Sequence, residues 1–206
     1  MVDLFTKGPR SLRRSPLQHL TEELAAAAVS GPRGAVLKEI AFLTQIGLRA
    51  EPGSPAYEAL AEATGVGLPA RVGEVAGSQE NVAVLWLAPD EFLVVTAPDQ
   101  HDLLRALTEA LGEHPGQVVD LSANRAVVEI SGGSAREALE KGVPADLHPR
   151  AFPVGTAVTT ALGPVQILLW HTAEDEYRVL PRASFADYTA HWLIDTIREY
   201  RTSAVV

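Results

Sequence analysis

The sequence predicts an α+β fold built from largely antiparallel sheets with packed helices. Three observations support this. Apolar runs come in adjacent pairs split by short turns, as in hairpins. Single helical patterns interrupt those pairs. The strict strand–helix alternation of a doubly wound parallel sheet is absent. Strand pairs separated by one helix fit two ferredoxin-like lobes packed together. The chain therefore divides into a basic arm, residues 1–14, and a single α+β domain in two lobes, residues 15–206.

Taken in order, the arm sets Lys7, Arg10, Arg13 and Arg14 against the single acid Asp3, with no helical or strand period. Leu17, Leu20 and Leu24 then fall at helical spacing, and Ser30-Gly31-Pro32 ends that helix. In residues 36–51, Ile40, Phe42, Ile46 and Leu48 all occupy even positions, which predicts one long strand. Gly47 inside it marks a bulge or bend. Ser54-Pro55 opens a helix that Gly65 closes. The runs 81–88 and 91–97, split by Pro89-Asp90, predict a hairpin with Trp86 in the core.

Pro98-Asp99 opens a helix with Leu103, Leu104, Leu107 and Leu111 on one side and Gly112 as its stop. Residues 117–122 and 126–132 predict another strand pair. Ser134 and Glu137 have the spacing of a capping box, and Gly142 that of a C′ glycine. Two further apolar runs meet at Gly163-Pro164, and residues 177–180 give a short final strand. Ser184 and Asp187 open the last helix, whose apolar side is read as Phe185, Tyr188, Trp192, Ile197 and Tyr200.

Composition excludes several function classes. The chain has 206 residues, of which 47% are apolar, enough for a sizeable core. A net charge of −9 argues against nucleic-acid binding, which rests on phosphate neutralisation. The chain has no cysteine, so disulfides, thiolate metal sites and cysteine nucleophiles are excluded. No apolar run approaches the ~20 residues of a membrane span. No apolar leader segment is visible, and a cytoplasmic location is expected.

Motifs for chemistry are also absent. Gly65-Val66-Gly67-Leu68-Pro69-Ala70 lacks the third glycine of a dinucleotide loop, and Pro69 stands where the helix should begin. Gly132-Gly133-Ser134-Ala135-Arg136 resembles a nucleophile elbow only until Arg136 replaces the last glycine. None of the six histidines forms a helical metal pair. Asp146 and His148 are the only close acid–imidazole pairing in a plausible functional loop. They lie in a connector, Lys141–Pro153, that is stiffened by Pro144, Pro149 and Pro153 and reads as extended. Such a loop offers a surface of fixed shape at little entropic cost.

That connector carries a resemblance. GVPADLHPRAF, Gly142–Phe152, resembles the CP-x-DLHPR-x-F signature of the γ subunits of heterotetrameric sarcosine oxidases. RRSPL (Arg13–Leu17), WLAPDEFLVV (Trp86–Val95), DLSANRAVVEISG (Asp120–Gly132) and VLPRASFADYTAHWL (Val179–Leu193) resemble further segments of that family, in the same order. The resemblance covers the chain from about Arg13 to its end. Val143 departs from it, standing where the family has cysteine, which points to packing rather than thiol chemistry.

The resemblance implies a fold related to the N-terminal part of glycine-cleavage aminomethyltransferases. It also implies a complex that oxidises sarcosine to glycine, forms hydrogen peroxide and passes the one-carbon unit to tetrahydrofolate. It places FAD, FMN, NAD, tetrahydrofolate and zinc in the α, β and δ partner subunits and no cofactor in this chain. Where the aminomethyltransferases carry a TGE-x-G turn, this chain has Thr172-Ala173-Glu174-Asp175-Glu176, without either glycine. The expected role is therefore structural, with no catalytic, cofactor or metal residues and a main contact to the α subunit. Arg13, Arg14, His148, Arg150 and Phe152 are the candidate partner interface. The alternative is a stand-alone, folate-binding aminomethyltransferase-like protein.

Overall fold

The computed structural model describes residues 12–201. A 3-10 turn, Gln18–Leu20, leads into α1, Thr21–Ala27, and then β1, Val36–Glu39, and β2, Leu43–Arg49. Next come α2, Pro55–Thr64, β3, Val75–Gly77, and the hairpin of β4, Val82–Ala88, with β5, Glu91–Pro98. The chain continues through α3, His101–Leu111, β6, Gln117–Asp120, β7, Val128–Ser131, and α4, Ala135–Glu140. It ends with the meander of β8, Ala157–Leu162, β9, Val165–Ala173, and β10, Glu176–Pro181, followed by α5, Ala186–Ile197.

The strands form two five-stranded antiparallel sheets, ordered β1-β7-β10-β9-β8 and β3-β4-β5-β2-β6. In the second sheet β2, α2, β4, β5, α3 and β6 follow a ferredoxin-like path, with β3 added beside β4. The first sheet repeats that spatial order, with β7, β9 and β10 in the places of β2, β4 and β5, and β8 in the place of β3. Its remaining position is filled by β1, which precedes the second lobe in sequence. The two lobes are thus circular permutations of one pattern. The chain crosses between them twice, at residues 40–42 and 121–127.

The sheets pack face to face and carry helices on their outer faces. Along β4 and β5 the side chains divide by parity. Val84, Phe92 and Val94 pack with Leu60 of α2 and Leu107 of α3, while Ala83, Leu85, Leu93 and Val95 meet Leu168, Trp170 and Leu180 of the other sheet. Along β9, Ile167 and Leu169 turn to the layer of α1, α4 and α5, and Leu168 and Trp170 turn inward. Burial on both faces explains why these strands read as continuous apolar runs.

Several local expectations held. Tyr57 N–H donates to Ser54 Oγ at 3.1 Å, and Gly65 ends α2 at φ 73°. Others are corrected. The single strand expected over residues 36–51 is two strands in different sheets, broken at Ile40–Phe42, where Phe42 takes φ 64°. Even spacing continues across the break, but the partner strand changes. Residues 117–122 and 126–132 do not pair with each other, since β6 joins β2 and β7 joins β1 and β10. The register shift in β2 lies between Leu43 and Thr44 rather than at Gly47. Gly47 instead makes room for Leu121, whose Cδ1 would stand 2.7 Å from an added Cβ.

The helix ends differ as well. α3 begins at His101 after Gln100, and Asp99 before it takes φ 63°. Ser134 makes no side-chain cap bond. It is buried, and Glu137 reaches Arg33 at 3.3 Å. Gly142 is a packing glycine, because a Cβ there would meet the Trp192 ring at 2.4 Å. A 3-10 turn, Ala183–Phe185, opens the last helix with no side-chain cap. Of the expected apolar side, Ile197 and Tyr200 are buried but Phe185 and Tyr188 are exposed, and α5 buries Ala186, Ala190, Leu193 and Ile194 in their place.

Candidate functional site

The connector Lys141–Pro153 is a series of turns rather than the extended segment its prolines suggest. His148 N–H donates to Asp146 Oδ1 at 2.9 Å, and Arg150 N–H donates to His148 Nδ1 at 3.2 Å. The Asp146 carboxylate therefore holds backbone, not the imidazole, and no acid–base dyad forms. The N–H groups of Ala151 and Phe152 both donate to the His148 carbonyl at 2.8 Å, closing the last turn. Val143, Leu147 and Phe152 are buried, while His148, Pro149 and Arg150 face solvent. Val143 is thus a packing residue.

Phe152 is removed from the candidate interface. It is 2% exposed and lies in the chain's own core. Its ring is parallel to those of His171, at 5.8 Å, and Tyr177, at 6.4 Å. His171 Nδ1 lies 2.8 Å from the Phe152 carbonyl, which accepts its N–H and ties the connector to β9. An aromatic beside an arginine has an interface composition, but an apolar ring after a buried leucine is also core spacing.

Of the arm, Arg13 and Arg14 are described, whereas Lys7 and Arg10 lie outside the described residues. Arg13 pairs with Asp99 at 2.7 Å and stacks over the Phe42 ring at 4.5 Å. Arg14 is exposed and lines a cleft of about 540 Å³ beside both crossover segments. The two segments are bonded to each other. Leu121 N–H donates to the Gln45 carbonyl at 2.8 Å, Ile40 N–H to Val127 at 2.9 Å, and Gln45 Nε2 to the Arg125 carbonyl at 3.0 Å.

Inside the cleft, Ser122 donates its hydroxyl and its backbone N–H to Asp120, at 2.6 and 2.9 Å. These bonds, the hydroxyl's first, hold the Asp120 carboxyl below its ordinary value. Arg125 donates one N–H to the Leu180 carbonyl at 3.1 Å. Burial, and then the Arg182 charge, push its guanidinium down to about 10. Sequence reasoning passed over Arg125. Its signal was an arginine set directly against the apolar run Ala126-Val127-Val128, where a surface charge has no reason to sit.

A second surface lies on α5. Phe185 and Tyr188 are 48% and 43% exposed. A Cβ at Gly163 would lie 3.5 Å from Tyr188 Oη, and Gly163 N–H donates to the Gly142 carbonyl at 2.9 Å. This aromatic pair therefore adjoins the start of the connector. Among the described residues, no group of three or more His, Asp or Glu side chains is placed to hold a metal ion. No helix there is long and apolar enough to cross a membrane.

The two-lobed architecture is shared with glycine cleavage system aminomethyltransferase T from Bartonella henselae. The TM-score is 0.65 at 19% identity, over 89% of this chain and 57% of that one. At that identity the likeness is one of fold, and it defines the class: an aminomethyltransferase-like α+β chain. Within that class the chain belongs to the sarcosine oxidase gamma subunit family, which matches residues 49–199. Sarcosine oxidase subunit gamma of Corynebacterium sp. strain U-96 is 55% identical over 94% of both chains. That of an Arthrobacter species is 54% identical over 95% of both. A chain of the heterotetrameric sarcosine oxidase of Corynebacterium sp. U-96, solved with pyrrole 2-carboxylate, superposes with TM-score 0.93 at 54% identity, covering 95% of this chain and all of that one.

Proposed function

We propose that this chain is the non-catalytic γ subunit of a cytoplasmic heterotetrameric sarcosine oxidase. In this reading its role is to hold the complex together while α, β and δ subunits oxidise sarcosine to glycine. FAD, FMN, NAD, tetrahydrofolate and zinc belong to those partners, and the main contact is with α. The observation that carries the reading is the near-complete superposition on a chain of a heterotetrameric sarcosine oxidase at 54% identity. The internal chemistry agrees, since Asp146 is committed to a backbone N–H and His171 to a backbone carbonyl.

The proposed interface has three parts: the arm with Arg13 and Arg14, the connector tip with His148 and Arg150, and the adjoining Phe185 and Tyr188. Aromatic residues and arginine are enriched at such surfaces. An obligate interface buries on the order of 2,000 Å² or more, which no single loop supplies. Coexpression with the three partner subunits tests the proposal. A complex that keeps this chain and flavin through size exclusion is the expected result, and Arg150→Ala with residues 1–14 removed should loosen it. A monomer that leaves the flavoprotein behind and binds folate alone would instead establish the stand-alone transferase.

A further inference from the structure

We infer that the cleft between the two crossover segments receives a carboxylate side chain from a partner subunit, and that Arg125 binds it. This inference rests on the γ-subunit reading. Its starting point is an imbalance of charge. Arg125 is half-buried, and burial lowers its proton affinity. A buried charge is ordinarily paired. Arg125 has five N–H donors, yet its only acceptor among the described residues is the Leu180 carbonyl.

The acids that line the same cleft are already engaged. Asp120 accepts both Ser122 donors. Glu39 accepts the Ser15 hydroxyl at 2.6 Å and the Leu17 N–H at 3.0 Å. The neighbouring cation Arg182 adds repulsion and is itself turned to Asn124, while the one acid that acts against it, Glu91, is paired with Arg49 at 3.0 Å. Beside Arg125, the buried Gln45 Oε1 has no donor. The cleft therefore offers a fork of guanidinium donors whose complement is a carboxylate, held in two parallel bonds.

The occupant is a segment of protein rather than a free anion. A lone carboxylate metabolite would leave most of about 540 Å³ unfilled, whereas a short loop fills it. The lining also includes Ile40, Phe42 and Leu43, which suit apolar residues flanking an acid. Arg13 and Arg14 bring the lining cations to three against Glu39 and Asp120, a small positive balance on a chain whose net charge is −9. A local positive patch of this kind steers and registers an acidic partner segment.

The test uses the coexpressed heterotetramer, diluted and weighed by mass photometry, where release of this chain appears as the loss of 22.0 kDa. Arg125→Met should raise the dissociation constant on the order of 30-fold or more, since truncating one side of a desolvated charge pair acts at that scale. Arg125→Lys, which keeps charge but loses the fork, should fall between wild type and Arg125→Met, and it serves as the probe if the methionine variant fails to fold. An unchanged dissociation constant in both variants, with wild type assembling, would overturn the inference and leave the γ-subunit reading intact. So would protection of this chain from heat by millimolar sodium glutarate in an Arg125-dependent way, which would make the cleft a small-molecule site. Wild type failing to assemble would overturn the reading and the inference together.

Discussion

Phe152→Ala separates a core role from an interface role in one measurement. The Phe152 ring is 2% exposed and lies parallel to His171 and Tyr177 within the core of the helical layer. A phenylalanine buries about 200 Å², which at about 25 cal/mol/Å² gives about 5 kcal/mol as an upper value. Measured truncations of this kind cost about 3–5 kcal/mol. In a domain of this size each kcal/mol shifts Tm by about 2–4 °C, so the loss should be about 6–20 °C. Phe152→Leu, which keeps most of the volume, should cost under about 1.5 kcal/mol. Thermal and urea unfolding of the chain freed of its partners would read both. An unchanged Tm for Phe152→Ala, with weakened assembly, would refute the core assignment and return Phe152 to the interface.

Three further outcomes are expected. Gly142→Ala forces a Cβ against the Trp192 ring and should cost about 1–3 kcal/mol by urea unfolding; Trp192→Leu in the same chain should recover part of that cost. Ser122→Ala should lower Tm more at pH 7 than at pH 3, because the depressed Asp120 carboxyl contributes stability that is present above its ordinary range and lost as pH falls below about 4; the residue left at pH 3 reports the bond from Gln45 N–H to Ser122 Oγ. His148→Ala should leave turnover of the assembled complex within a few-fold, whereas removing a general base costs about 10²–10⁴-fold.

The elements that could be read from sequence were those whose signal is local. Ser54-Pro55 and Gly65 bracket α2 because caps depend on the few residues around them. The β4–β5 hairpin announced itself by two apolar runs around Pro89-Asp90. Where a strand changed partners, the signal failed. The even-position apolar pattern runs from Ile40 to Leu48 with only Thr44 interrupting it, and nothing in it records that Phe42 turns to positive φ and that the strands on either side join different sheets. The aromatic stripe of α5 misled for a related reason. Helical spacing shows that Phe185 and Tyr188 share a side, but not that α5 buries its small residues, Ala186 and Ala190, with Leu193 and Ile194 and leaves those two rings exposed. Arg125 carried only the weak signal of a charge beside an apolar run, because its setting is made by the two crossings and not by its neighbours in sequence.

The permuted topology explains why the cleft lies where it does. Each lobe needs four strands in the ferredoxin-like order, and the first lobe borrows one of them, β1, from before the second. The chain must then leave the first sheet after β1 and return to it at β7, and β1 and β7 are hydrogen-bonded neighbours. Both crossings are thereby forced through the same gap, side by side. Backbone there is spent on joining the crossings, as the bonds from Ile40 to Val127 and from Leu121 to Gln45 show, so side chains are left to fill the space. Apolar residues would close it. This chain instead places Arg125 and Gln45 there, at a cost in desolvation to the isolated chain. In the free subunit that cost is offset only by the bonds from Arg125 to the Leu180 carbonyl and from Gln45 to the Arg125 carbonyl, and the charge becomes an advantage when an acid enters the cleft. Stability of the free chain and strength of assembly should therefore move in opposite directions when the charge at Arg125 is removed.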